Sequence, residues 1–88
     1  MASQVVDIND PGTQKIGSWA VAEHNKQTND NIKFNKVVSG KSDFSLGIRF
    51  DLIIDASNSE GKNAKYQAEV YQKKYGGQLS LVSFSSAN

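Results

Sequence analysis

The chain has 88 residues, 38% apolar and 22% charged, which describes one small domain of ordinary globular composition. A net charge of +1, with the basic residues scattered, gives no electrostatic basis for binding nucleic acid or an anionic membrane. The lack of cysteine excludes disulfides, thiolate metal sites and a thiol nucleophile, and no apolar run approaches the ~18 residues of a membrane span.

A chain this short buries only ~60% of the surface it exposes when unfolded, so its core must be economical. Residues 1–3 read as a disordered tail, followed by a short strand over 4–8, "QVVDI". In "NDPG", Asp10 suits a helix N-cap. Pro11 suits the first helical position, where its missing N–H would be unpaired anyway. The spacing predicts a helix from Thr13 to about Lys26, with Ile16, Trp19, Ala20 and Glu23 on one face and Val21 flanking it. Gly17 inside that helix costs about 1 kcal/mol against alanine, which implies close packing at this point. "QTNDN" (27–31) ends the helix.

The period then changes. "IKFNKVVS" (32–39) reads as a strand with an irregularity near Lys36, and 40–47 as the turn that follows. "IRFDLIIDA" (48–56) is the clearest strand. Ile48, Phe50, Leu52 and Ile54 lie on one side; Arg49, Asp51 and Asp55 lie on the other with the apolar Ile53. A loop at 57–63 leads to a strand over 64–74 with Tyr66, Ala68 and Val70 on one face. A turn at 75–77 leads to a closing strand over 78–84. One helix and a run of closely connected strands predict an α+β domain, with the Trp19 stripe lying across the apolar face of an antiparallel sheet.

Catalytic chemistry finds little to use. His24 is the sole histidine and sits late in the helix, where a cation is favoured by the helix dipole. "GTQKIGS" (12–18) has phosphate-loop glycine spacing, but Ser18 stands where the lysine belongs and the segment falls within the helix. The carboxylates are scattered singly, without the alternating oxygen-ligand pattern of a calcium loop, so no metal or cofactor is expected. The expectation is a protein that is not an enzyme.

Surface remains. In an antiparallel sheet the N-terminal tail, the 40–47 turn and the 73–77 turn share one end. They carry Val5 and Val6, Phe44 and Leu46, and Tyr75 respectively. Apolar residues gathered on a rigid edge suggest a protein-binding surface, unless Phe44 and Leu46 fold back onto the core.

The helix "IGSWAVAEHNK" (16–26) resembles the helix signature of the plant cystatins, small disulfide-free inhibitors of papain-like cysteine proteases. Ile16, Gly17, Trp19, Ala20, Val21, Glu23, His24 and Asn25 each fit a constrained position of that signature. "DINDP", "KFNKVVSG", "IRFDLIIDA" and "LSLVSF" are similar to the same family, so the resemblance covers nearly the whole chain. It implies the cystatin fold: one helix packed in a curved antiparallel sheet of four to five strands, ordered β-α-β-β-β-β. It also implies a reversible wedge that occludes a protease cleft, built from an N-terminal segment, a Gln-x-Val-x-Gly hairpin and a Pro-Trp hairpin. On this chain the wedge falls on Val5 and Val6, on Asp43, Phe44, Ser45, Leu46 and Gly47, and on Lys74 and Tyr75. Of the first motif Gly47 matches, while Asp43 stands where the family has glutamine and Ser45 where it has valine. Lys74 and Tyr75 stand for Pro-Trp. If the chain is a divergent inhibitor, losing several anchors at ~1–2 kcal/mol each is compatible with micromolar binding.

Two functions stay open on the sequence: an inhibitor of altered affinity or specificity, and a non-inhibitory cystatin-fold protein using the same edge for another protein. Also open are a monomer or a dimer swapped through the 40–47 turn, and a secreted or vacuolar protein with its leader removed or a cytosolic one.

Overall fold

In the computed structural model, which describes residues 3–44 and 46–87, Asp10 opens the helix as expected. Its carboxylate accepts from the Gly12 N–H at 3.0 Å, and α1 runs Pro11–Thr28. The helix extends past Lys26 because Thr28 Oγ1 returns a hydrogen bond to the His24 carbonyl (2.7 Å). Asn29 then caps it in the left-handed conformation, its N–H donating to the Asn25 carbonyl at 2.8 Å.

The buried stripe of α1 is Thr13, Gly17, Ala20 and Val21, rotated from the expected one; Ile16, Trp19 and Glu23 lie at its margins. Gly17 sets this rotation. A Cβ there would lie 2.3 Å from Val37 Cγ2 and 3.0 Å from Phe34 Cε1, so the helix meets the sheet most closely where it has no side chain.

The strands are β1 Gln4–Val5, β2 Lys33–Asp43, β3 Ile48–Ser57, β4 Asn63–Gln72 and β5 Leu79–Ser86. They form one antiparallel sheet in the order β1-β2-β3-β4-β5. The inward face carries Val37, Leu52, Ile54, Ala56, Ala68 and Val70, which close over Ala20, Val21 and Ile32 to form the core. Alanines on helix and sheet keep the two layers near.

β2 reaches four residues beyond the expected strand. Lys41, Ser42 and Asp43 pair with Asp51, Phe50 and Arg49, so the connection to β3 is 44–47 rather than 40–47. Within β2 the register slips between Phe34 and Lys36, near the irregularity read at Lys36, and again between Val37 and Ser39. Each slip inserts one extra residue, so inward positions recur every third residue: Phe34, Val37, Gly40. β5 does the same where Glu69 pairs Ser83 and Val70 pairs Leu81; the extra residue, Val82, is turned out to solvent.

The sheet is a meander, so chain direction alone places three segments at one end. Gln4 pairs with Ser42 and Val5 with Lys41, which brings the N-terminal segment beside the end of β2. The 44–47 and 73–78 connections lie at the same end of β3 and β4.

Candidate functional site

That end of the sheet carries three of the most exposed apolar side chains among the described residues: Val5 (83% exposed), Leu46 (86%) and Tyr75 (91%). Three apolar side chains this exposed at one end of the sheet make that end a candidate for contact with a protein.

The expected site residues separate into different surroundings. Val5 faces outward beside Lys41, in a shallow depression shared with Ile53 and Gln67. Val6 is instead half-buried and packed on the core, its N–H donating to the Gly40 carbonyl at 3.0 Å. Asp43 ends β2 opposite Arg49, yet Arg49 turns its Nε to Glu69 Oε2 at 3.1 Å. One carboxylate oxygen of Asp43 is left buried without a hydrogen bond.

Phe44 and Leu46 lie on different faces. Phe44 is half-exposed at 45% and lines a groove of about 370 Å³ on the helix side, with Ile16, Ile48, Phe50, Gln72 and Tyr75. Leu46 stands over the outer face, beside Asp43, Arg49 and Tyr71. Neither residue belongs to the set packed on the core: Phe44 borders the helix-side groove and Leu46 projects from the outer face. Ser45, also expected at the site, falls outside the described residues.

Gly47 has φ +104°, a conformation that strongly favours glycine, and an added Cβ would stand 2.7 Å from Tyr71 Oη and 2.8 Å from the Gln72 carbonyl. The first hairpin thus rests directly on the end of β4. Lys74 is exposed, and its carbonyl accepts from the Gly77 N–H at 2.8 Å to close the second hairpin beneath Tyr75.

Two residues that the sequence did not single out hold these hairpins. The Tyr71 hydroxyl donates to the Leu46 carbonyl at 2.6 Å, and Gln72 Nε2 donates to the Gly77 carbonyl at 2.8 Å. A residue-by-residue reading finds neither: the Tyr71 bond depends on which loops the sheet brings together, and the Gln72 bond on the shape of the turn that follows it.

His24, by contrast, sits at the far end of the sheet. It stacks on Phe84 with ring centroids 4.1 Å apart and meets Asp30 at 3.1 Å, a structural setting remote from the exposed rim. Among the described residues no group of three His, Asp or Glu could hold a metal ion.

The arrangement of the described residues offers shape and apolar contact on one edge of the sheet. Comparison with known proteins points to protease inhibitors. Residues 5–87 match the family model described as "Aspartic acid proteinase inhibitor". The chain is 34% identical over 85 residues to Cysteine proteinase inhibitor 8 of Oryza sativa subsp. japonica, covering 97% of this chain and 69% of that protein. It is also 34% identical over 86 residues to Cysteine proteinase inhibitor 5 of Arabidopsis thaliana, covering 98% and 70%. In fold it is similar to the salivary cystatin of the soft tick Ornithodoros moubata, with a TM-score of 0.82 at 12% identity over 99% of this chain and 97% of that one.

Proposed function

The chain belongs to the cystatin-like family of aspartic acid proteinase inhibitors and is a relative of the plant cystatins; from that premise we propose that it inhibits papain-like cysteine proteases as a reversible wedge. The observation that carries this reading is the set of exposed side chains Val5, Leu46 and Tyr75 on one edge of a sheet whose opposite end holds none of them. A protease cleft is a concave, partly apolar groove, and an edge of this kind fills it without presenting a peptide bond to the nucleophile. Each apolar anchor contributes about 1.5–3 kcal/mol when fully buried, set against the cost of association. Without the glutamine and valine of the family's first hairpin, inhibition is expected to be weaker than that of a cystatin that carries them, with a constant of roughly micromolar size.

A second target class has its own support. The matching family model is described by aspartic proteinases, and Asp43 and Ser45 depart from the plant-cystatin hairpin where contact with a cysteine protease is expected. One experiment separates the two classes. The purified chain is titrated against papain and against pepsin, each in its own working buffer. Micromolar inhibition of papain supports the first reading; inhibition of pepsin alone moves the target to aspartic proteinases. No inhibition of either at tens of micromolar leaves a non-inhibitory binding protein. In the inhibitory case Leu46→Ala and Tyr75→Ala each weaken binding by about tenfold. Phe44→Ala, at an exposed position of the same end, also weakens binding while leaving the fold intact.

A further inference from the structure

Residues 71 and 72 are neighbours at the end of β4, so their side chains leave opposite faces of the sheet. Tyr71 goes to the outer face and grips the first hairpin through the Leu46 carbonyl, at 2.6 Å. Gln72 goes to the helix face and grips the second hairpin through the Gly77 carbonyl, at 2.8 Å. The 44–47 and 73–78 loops come from different strand pairs and meet where Gly47 lies against the Lys73 carbonyl. We propose that Tyr71 and Gln72 are positioning residues for partner binding, a two-pronged clamp that fixes the two hairpins relative to each other. This rests on the proposed inhibitory reading, and it adds residues that do not themselves form the exposed contact set.

The geometry explains why the clamp sits here. Leu46 protrudes more than any other described residue of the first hairpin, and the carbonyl held by Tyr71 is its own. Gly47 follows at φ +104°, with the Tyr71 hydroxyl and the Gln72 and Lys73 carbonyls all within 3.0 Å of where a Cβ would be. The first hairpin therefore has no room to settle elsewhere against β4. On the other side, Gln72 closes the base of the loop that carries Tyr75. Two apolar anchors on separate loops bind one rigid partner with full effect only when their spacing is set beforehand; otherwise ordering them is subtracted from the binding free energy. Each bond is solvent-accessible at one end, so each contributes modestly, of the order expected for a single hydrogen bond.

The test uses Tyr71→Phe, which removes only the hydroxyl, and Gln72→Leu, which removes only the amide. Amide ¹⁵N relaxation is measured on each free protein, together with association and dissociation rates against whichever protease the wild type inhibits. Tyr71→Phe is expected to lower the order parameter at Leu46 and Gly47 from about 0.85 toward about 0.6 and to leave Gly76 and Gly77 unchanged; Gln72→Leu should do the reverse. Each variant should weaken inhibition about 3–10-fold while lowering the melting temperature by only a few degrees, as the loss of one hydrogen bond does. Order lost throughout the sheet rather than in the one loop, or loops that stay ordered in both variants, would overturn the clamp. So would loosened loops with unaltered inhibition. If the wild type inhibits neither protease class, the functional reading fails separately, and the relaxation data alone then decide whether the clamp orders the loops.

Discussion

An alanine at position 17 would bring its Cβ to 2.3 Å from Val37 Cγ2, in the middle of the helix–sheet contact. Two opposing effects meet at this residue. Alanine is favoured over glycine in a helix by about 1 kcal/mol, while forcing extra volume into a packed core costs typically 1–3 kcal/mol. Val37 is 1% exposed and has no free space to retreat into, so the second effect wins. Gly17→Ala should lower the melting temperature by roughly 5–10 °C in a domain of this size, as followed by circular dichroism. A rise would show that helix propensity governs the position. Close packing was legible in the sequence at Gly17 because an unexplained glycine in a helix has few other uses. Which helix face it selects was not legible, since Ile16 and Trp19 outweigh a glycine in any apolar count.

Strands were readable where their alternation is unbroken. β3 holds a continuous register with β4 from Ile48 to Ser57, and its inward side chains follow the period of two throughout. β2 is different, because its two extra residues turn the inward spacing into three. The first extra residue, Asn35, is polar and announces itself. The second, Val38, is apolar and hides in "VVS", so the strand looked finished before Gly40. The helix carries a testable feature at its C-terminal end. The Asp30 carboxyl is held below its ordinary value of 3.8, first by the hydrogen bond from the Asn31 N–H and then by His24. A carboxyl depressed in the folded state contributes stability that is present above its unfolded pKa and lost as pH falls through the folded one. Asp30→Asn should therefore melt slightly lower than wild type above about pH 4, with the gap closing in more acid solution. Thermal melts across pH 2–7 check this; a gap that widens toward acid would refute it.

At the scale of the whole molecule, topology and the resemblance together put Val5, Leu46 and Tyr75 at one end of the sheet, the edge proposed for binding, and only the folded chain shows how its residues divide. Residues 44 and 46 are alternate in sequence and would share a face in a regular strand, yet in the hairpin they lie on opposite sides. Val6 was placed with Val5, but neighbours in a strand point opposite ways, and one of the two had to enter the core. The same hairpin governs whether the protein stays a single folded unit. Opening 44–47 would let β2 run straight toward a second copy and exchange the elements that precede it, giving a swapped dimer. Gly47 opposes that exchange, because its φ of +104° is available without strain only to glycine and belongs only to the closed hairpin. Placing alanine there costs the closed form at least about 1–2 kcal/mol and leaves an extended hinge unaffected. Gly47→Ala should shift a measurable fraction to twice the monomer mass on size-exclusion chromatography, growing with concentration. The dimer should also inhibit less than the monomer, since its first hairpin has been consumed. A second variant with two glycines inserted after Phe44 relaxes the closed turn and should stay monomeric, which separates hinge strain from general destabilisation. If Gly47→Ala instead runs as a fully folded monomer at all concentrations, the closed hairpin is held by contacts other than this turn, and the strain argument fails.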